Sequence, residues 1–160
     1  MFVSDGWYVR NAREQEWFDR GPRGFVARLV DDEAQFGANL FVLGAGEPMA
    51  MYHWEADTEG YLVLSGEGLA IVEDQEVPLK QWDYVHTPAG VPHVIVGGPC
   101  VVLAIGGREH QRGEGWGGYP LSDVAARHNA STEEETADSK VAYARFPARK
   151  PSGYRGWLDE

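Results

Sequence analysis

Hydrophobic residues between Gly24 and Gly107 occur in short runs of five to eight that are rich in Val, Leu, Ile and Tyr. Glycine, proline or clusters of acidic residues separate these runs, which include GFVARLV, GANLFVLG, YLVLSG, PHVIV and CVVLAIGG. Short runs at regular spacing, bounded by turn-forming residues, are typical of antiparallel β-strands. The pattern therefore predicts an all-β fold, a sandwich or a barrel, over residues 24–107.

The segment before this region has a different pattern. Residues 1–23 are polar and aromatic, and REQEWFDRG within them predicts a short helical turn that ends at Gly21-Pro22. We interpret residues 1–23 as an N-terminal arm.

Residues 108–160 are predicted to form a glycine-aromatic loop, one short helix and a C-terminal arm. The helix lies in LSDVAARHNA, with Ser122 or Asp123 as its N-cap, and EEETADSK follows as a solvated connector. The last segment, AYARFPARKPSGYRGWLDE, has too many prolines and glycines for regular structure. Its aromatic content predicts an arm that packs on a surface rather than a free tail. These aromatic residues are Tyr143, Phe146, Tyr154 and Trp157.

The length of 160 residues fits one domain with a sizeable core and leaves little room for a second. Cys100 is the only cysteine, which excludes a disulfide framework and a zinc site built from several cysteines. The start, MFVSDGWYVRNARE, has neither a basic segment nor an apolar run, and nowhere do 18 apolar residues follow one another. We therefore expect a soluble cytoplasmic protein.

The charge of the chain is strongly negative. Twenty-five acidic and fourteen basic residues give a net charge of −11. Between Arg28 and Lys80 there are eleven acidic residues and no Lys or Arg. A surface with this balance repels phosphate backbones and anionic lipids. Nucleic acid and membrane are therefore poor partner hypotheses, and a small-molecule ligand or substrate is the expected partner.

Candidate chemistry lies in two strand-turn segments. In the first, PMAMYHWEADTEGYLVLSG, His53 and Glu55 are two residues apart. On a strand their side chains would leave the same face, together with those of Met49 and Met51. Glu59 follows a turn, which would fold it back beside His53. A buried Glu59 would be costly unless it were paired or coordinated, which favours a ligand role for it.

The second segment, WDYVHTPAGVPHVIVGG, contains a predicted turn at residues 88–90, after which His93 and Ile95 share one face of a strand. Two imidazoles and two carboxylates would then converge inside the fold, with Tyr61 and the methionines as an apolar wall. His86 would reach the mouth of this pocket. The composition is that of a site for zinc, iron, manganese or nickel.

The order and spacing of these residues resemble the two motifs of the cupin superfamily. Matches to the first motif are Gly46, His53, Glu59 and Gly66, and matches to the second are Pro88, Gly90 and His93. The resemblance covers roughly residues 38–106. It implies a single antiparallel β-barrel of the jelly-roll-like, double-sheet type, with one divalent metal ion per chain.

Four positions depart from the family pattern. They are Glu55 in place of the second histidine, a spacing of six residues instead of five between Gly46 and His53, Trp82 in place of a glycine, and Gly97 in place of an asparagine.

Glu55 is the departure that most affects the chemistry. Together with His53, Glu59 and His93 around a divalent ion it would give a formal charge of zero instead of +1. A neutral site attracts anionic substrates less and acidifies a bound water less. Alternatively, Glu55 points past the metal and acts as a catalytic base or contacts the substrate.

The resemblance leaves two classes of function open, because cupins include dioxygenases, decarboxylases, isomerases and epimerases as well as proteins without catalysis. The chain shows no DNA-binding segment or basic patch that would couple a sensor to an output. This favours a metal-dependent enzyme acting on a small organic molecule. The alternative is a non-catalytic cupin that binds a small ligand or a metal as a sensor or storage protein. The resemblance also implies a homodimer.

Overall fold

The computed structural model describes residues 2–158, with side chains from Asp5 onward. Residue 1 of the N-terminal arm and residues 159 and 160 of the C-terminal arm lie outside this range. The strands are β1 (Phe2–Ser4), β2 (Trp7–Val9), β3 (Trp17–Asp19), β4 (Phe25–Arg28), β5 (Phe36–Leu43), β6 (Trp54–Glu55), β7 (Glu59–Val72), β8 (Gln75–Lys80), β9 (Tyr84–Thr87), β10 (His93–Gly107), β11 (Gly117–Gly118) and β12 (Lys150–Ser152). The α-helices are α1 (Asp123–Ala126) and α2 (Ser139–Ala142), and short 3-10 turns span Ala12–Glu14 and Gly21–Arg23.

The prediction of an all-β fold is confirmed. The largest sheet is antiparallel, with the order β12-β3-β4-β5-β10-β7-β8, and β9 also pairs with β7. Two smaller pairs, β1-β2 and β6-β11, lie outside this sheet. Among the described helices, none has the length and apolar character needed to span a lipid bilayer.

The long strands β7 and β10 turn this sheet into a double layer. The first half of β7 pairs with β9, whereas its second half pairs with β8. Gly66 marks the change, with φ of +75°, and a Cβ atom there would lie 2.1 Å from the Pro99 carbonyl oxygen. On β10 the register shifts at the same level, between Gly97 and Cys100. Both strands therefore pass from one layer to the other, which gives the jelly-roll-like arrangement.

Apolar side chains from both layers fill the space between them. They are Leu43, Met49, Tyr61, Val63, Ala70, Leu79, Ile95, Cys100 and Val102. Alternation along the strands directs these residues inward, as the period of two in the sequence predicts. The candidate ion ligands adjoin this core at Tyr61, whose ring centre lies 5.4 Å from that of His93.

The C-terminal arm packs on the outside of the sheet, as its aromatic residues predict. The ring of Trp157 lies 5.0 Å from that of Trp17 and 4.5 Å from that of Phe25. Trp17 is fully buried and donates its Nε1–H to the carbonyl oxygen of Ala12 over 3.0 Å. The C-terminal arm therefore packs against Trp17 of the N-terminal arm.

Three local predictions in the flanks need correction. The helical turn predicted in REQEWFDRG is a 3-10 turn followed by β3, because Trp17 is drawn into the core. The predicted connector contains the start of α2, whose N-cap is Asp138. The C-terminal arm includes β12, which tolerates Pro151 because β12 lies at the edge of its sheet. By contrast, Ser122 caps α1 as predicted, its Oγ accepting from the Ala125 amide.

Candidate metal centre

Three of the predicted ligands come together at one end of the space between the layers. Donor atoms of His53, Glu59 and His93 all lie within 4.8 Å of one another. Glu59 Oε2 is 2.8 Å from His93 Nε2 and 3.6 Å from His53 Nε2. All three side chains are almost entirely shielded from solvent.

The path of the backbone explains why these three side chains lie close together. His53 and His93 face each other in an antiparallel bridge, with N–H···O distances of 3.1 and 2.8 Å. His93 begins β10 and pairs with Val72, at the far end of β7 from Glu59. Glu59 nevertheless reaches the imidazoles, because the bends in β7 and β10 place the starts of these strands in facing layers.

Backbone carbonyls fix the orientation of both imidazoles. The Nδ1 atoms of His53 and His93 lie 2.7 and 2.8 Å from the carbonyl oxygens of Met51 and Val91. A carbonyl only accepts, so both Nδ1 atoms carry the proton and each neutral ring presents a lone pair at Nε2. Histidines that ligate metals are oriented by this same contact.

The donor set fits a divalent metal ion. Glu59 Oε2 is buried and has no hydrogen-bond donor among the described residues. In the neutral tautomers, the His53 Nε2 lone pair and this oxygen lie close together and repel one another unless a cation lies between them. The His93 Nε2 lone pair accepts from the Tyr61 hydroxyl over 2.7 Å, a hydrogen bond that an ion at His93 would replace. His53, Glu59 and His93 are therefore the residues that could hold the ion that the fold implies.

The electrostatics of the cluster also favour positive charge. Burial opposes protonation of His53, but the carboxylates of Glu55 and Glu59 outweigh it and raise the pKa of His53 well above its ordinary value. Burial likewise opposes ionisation of Glu59, yet His53 and His93 lower its pKa to about 2. A divalent ion would supply the positive charge more fully than a proton does.

Tyr61 adds a hydroxyl group to the cluster. Its Oη lies 2.7 Å from His93 Nε2 and donates to it. Burial, and then the charge of Glu59, raise the pKa of Tyr61 well above its usual value. The phenol therefore keeps its proton at neutral pH and acts as a hydrogen-bond donor.

Glu55 lies beside the cluster rather than within it. It ends β6, which is held by pairing with β11, and its Oε1 is 3.6 Å from His53 Nε2. It does not belong to the group of donor atoms within 4.8 Å of one another. Its carboxylate lines the adjoining cavity. A ligand role for Glu55 stays a prediction, and this placement also suits a base.

The predicted pocket wall is only partly present. Met49 and Tyr61 line the cavity, which has a volume of about 280 Å³. Ile95 lies deeper, inside the core, and Met51 packs against Tyr119 in another cluster, because residues 49–52 do not follow a regular strand. His86 faces the exterior and lines a surface groove, since β9 turns Thr87 inward instead. The structure therefore does not bring Met51, Ile95 or His86 to the cavity.

Arginines are the cavity residues that sequence reasoning missed. Arg20, Arg23 and Arg108 line the cavity on the side facing away from the core. Arg20 is 7% exposed and donates to the carbonyl oxygens of Met49, over 2.7 Å, and of Arg23. Burial, and then the charge of Arg23, lower the pKa of Arg20 to about 9, so it is charged at neutral pH. The only sequence signal for Arg20 and Arg23 is their position on either side of the Gly21-Pro22 turn.

Comparison with known proteins agrees with the fold and the motif positions. The family model described as a cupin domain matches residues 39–111, which contain His53, Glu59 and His93. Residues 39–111 form a cupin domain. The recognition of the cupin motifs in the sequence is thereby confirmed. No curated protein sequence matches the chain.

Solved structures of cupins share this architecture. An RmlC-like cupin from Shewanella frigidimarina NCIMB 400 superposes with a TM-score of 0.58 at 17% identity, covering 67% of this chain and 97% of that one. A cupin 2 domain-containing protein from Halorhodospira halophila gives a TM-score of 0.52 at 21% identity, covering 66% and 75%. At these identities both likenesses show the fold alone.

A structure described as a sugar phosphate isomerase from a cupin superfamily, from Silicibacter pomeroyi DSS-3, is 26% identical, with a TM-score of 0.49. The match covers 61% of this chain and 62% of that protein, so this chain spans less than two thirds of its length.

Proposed function

We propose that this cupin is a metal-dependent enzyme that converts a small organic molecule inside the cavity. The observation that carries the proposal is that donor atoms of His53, Glu59 and His93 lie within 4.8 Å of one another, with His53 and Glu59 in the cavity wall. Three protein ligands beside an open position are typical of catalytic metal sites, whereas structural sites are closed by four. We expect one divalent ion per chain, Mn, Fe, Zn or Ni.

The ion would act as a Lewis acid or as an oxygen-activating centre, and two histidines with one carboxylate also suit non-haem iron. The chain itself supplies groups that move protons. Glu55, whose carboxylate lines the cavity beside His53, accepts a proton from the bound molecule. Tyr61, whose phenol keeps its proton, donates a hydrogen bond to the bound molecule. Isomerisation and decarboxylation are the reaction types that these groups support with a Lewis-acidic ion, and oxygenation would require a redox-active ion and dioxygen.

The size of the cavity restricts the substrate. At about 280 Å³ it lies just below the range for ligand pockets, ~300–1,000 Å³. A substrate of this volume is a small metabolite rather than a polymer or a large cofactor.

Metal analysis tests the first half of the proposal. Protein purified without a chelating resin is expected to contain one equivalent of a divalent metal by mass spectrometry. The double variant His53→Ala with His93→Ala is expected to lose it. His86→Ala with His128→Ala is the matched control, because both residues lie outside the centre, and it should retain the metal. Equal metal content in the two double variants would refute the ligand assignment.

A turnover screen tests the second half. Wild-type protein, the His53→Ala/His93→Ala variant and Glu55→Gln are incubated with a panel of small organic acids, hydroxy acids and sugar phosphates, with and without oxygen. Loss of a panel compound is followed by NMR. Consumption by the wild type alone would support an enzyme. Full metal occupancy without consumption of any compound would favour the non-catalytic alternative.

A further inference from the structure

Arginine side chains gather where the cavity opens to solvent, although the chain as a whole is acidic. The cavity continues into an outer groove of about 520 Å³. Its charged lining residues are Arg20, Arg23, Arg28, Arg108 and Arg149. None of the described residues lining this groove is acidic. Such a groove attracts anions in spite of the net charge of −11.

Arg20 and Arg23 sit at the junction of the groove and the inner cavity. The Nε atoms of both are shielded from solvent and lack a hydrogen-bond partner in the described part of the chain. Neither guanidinium makes an ion pair with a carboxylate of residues 2–158. Glu47 lies near enough to favour the charge on Arg20, but its Oε2 accepts the Gly44 amide over 2.7 Å.

A buried Arg20 beside a half-buried Arg23, with no carboxylate counterion among residues 2–158, is unfavourable for the free protein. Burial of an unpaired charge is costly, and the like charge of Arg23 adds to the cost for Arg20. An anion placed between the two guanidinium groups would relieve both effects. Guanidinium groups also match carboxylate and phosphate oxygens in geometry.

Both arginines are held in place before any ligand arrives. The Arg20 guanidinium lies 4.8 Å from the centre of the Phe41 ring, and that of Arg23 lies 4.4 Å from the centre of the Tyr143 ring. The hydrogen bonds from Arg20 to the Met49 and Arg23 carbonyls fix it further. Rigid donors bind more tightly because less side-chain entropy is lost.

The polar wall opposite the arginines is also incompletely satisfied. Asn39, on β5, lines both the inner cavity and the outer groove. Its Oδ1 is buried and has no partner among residues 2–158. A bound molecule with a hydroxyl group next to its oxyanion would satisfy this oxygen as well.

We infer that Arg20 and Arg23 bind the oxyanionic group, carboxylate or phosphate, of a small molecule whose other end lies at His53, Glu59 and His93. The position of that other end rests on the proposed function. The arginines line the same cavity as His53 and Glu59, so one molecule can reach both. The substrate class is therefore a small organic acid or phosphate ester.

Titration calorimetry with succinate and with inorganic phosphate tests this inference. Each probe is added to the protein as purified and to the same protein after removal of metal. Arg23→Gln is expected to weaken binding of the preferred probe by roughly tenfold or more, the effect of losing a charged hydrogen-bond donor. Arg127→Gln is the matched control, because it removes the same charge from an exposed helix end, and binding should change less than twofold. The preferred probe distinguishes a carboxylate ligand from a phosphate ligand.

The metal-free samples separate this inference from the proposed function. Binding that persists without metal and falls in Arg23→Gln supports the arginine site, even if the metal assignment fails. Binding that disappears with the metal and is unchanged in Arg23→Gln overturns it and leaves the metal centre intact. Failure of both probes to bind also overturns it. If Arg23→Gln does not fold, Arg20→Lys, which keeps the charge but loses the planar fork, is expected to give the same loss.

Discussion

The two glycines that frame the first cupin motif are expected to respond very differently to replacement by alanine. Gly46 and Gly66 have almost the same backbone conformation, with φ of +77° and +75°. A Cβ atom at Gly46 would meet nothing within 4 Å. At Gly66 it would lie 2.1 Å from the Pro99 carbonyl oxygen and 3.0 Å from the Cys100 Cα. The pair therefore separates the cost of conformation from the cost of contact.

The magnitudes follow from these two contributions. A left-handed conformation costs a residue with a Cβ atom about 1–2 kcal/mol. Gly46→Ala is expected to lose only this amount of unfolding free energy. Gly66→Ala has the same conformational cost plus that of an overpacked contact, typically ~1–3 kcal/mol. The clashing atoms are backbone atoms at the crossing of β7 and β10, so they cannot rotate away.

Urea denaturation measures both variants on one scale. The six tryptophans report unfolding by fluorescence, and far-UV circular dichroism checks that secondary structure is lost in the same transition. Gly46→Asn serves as a further control, since asparagine adopts φ above zero more readily than alanine and should lose less stability. Equal destabilisation of Gly46→Ala and Gly66→Ala, within about 0.5 kcal/mol at unchanged m-value, would refute the close approach at Gly66.

Three other changes have defined outcomes. Glu55→Gln is expected to keep one metal ion per chain by metal analysis and to lose turnover. A changed absorption spectrum of its cobalt-substituted form would show instead that Glu55 is a ligand. The Asp57 carboxylate accepts a hydrogen bond from the His110 ring over 2.9 Å and raises the pKa of His110. The attraction between the two side chains is lost as the pH rises through that pKa, because His110 then loses its charge. In Asp57→Asn the pKa of His110 should fall by NMR titration, and an unmoved pKa would contradict the contact. The chain is expected to be a homodimer by light scattering. Because Trp82 is 64% exposed, the Trp82→Glu variant is expected to be a monomer near 17.7 kDa. A monomeric wild type would refute this prediction.

Features fixed by local sequence could be predicted. Alternation and turn residues located the strands that carry Glu59 and His93, because these signals act over a few residues. The strand predicted at His53 is wrong, because His53 forms an isolated bridge with His93. The N-cap at Ser122 is equally local, since its hydroxyl accepts an amide three residues further along the chain. The family motifs then indicated which of the polar residues face one another.

Features that depend on distant contacts could not be predicted. No Lys or Arg lies near Glu55 in the sequence. In the structure, however, Arg20 and Arg23 of the N-terminal arm line the same cavity as Glu55. The pairing of β12 with β3 is likewise set by packing of the two chain ends. His86 was misplaced because its outward orientation depends on the register of β9, which the turn at residues 88–90 does not reveal.

The arginine-bearing turn, Gly21–Arg23, lies outside the cupin domain of residues 39–111, whereas the candidate ion ligands lie within it. The residues proposed to select a ligand and the residues proposed to hold the ion are thus encoded in separate stretches of the chain. In related proteins the turn could diverge by point substitution or by a change in length while the motif residues stay the same. Such divergence would change which anion enters the cavity while the candidate ion ligands stay the same. A chimaera that exchanges residues 17–24 alone is therefore a direct route to altered ligand preference.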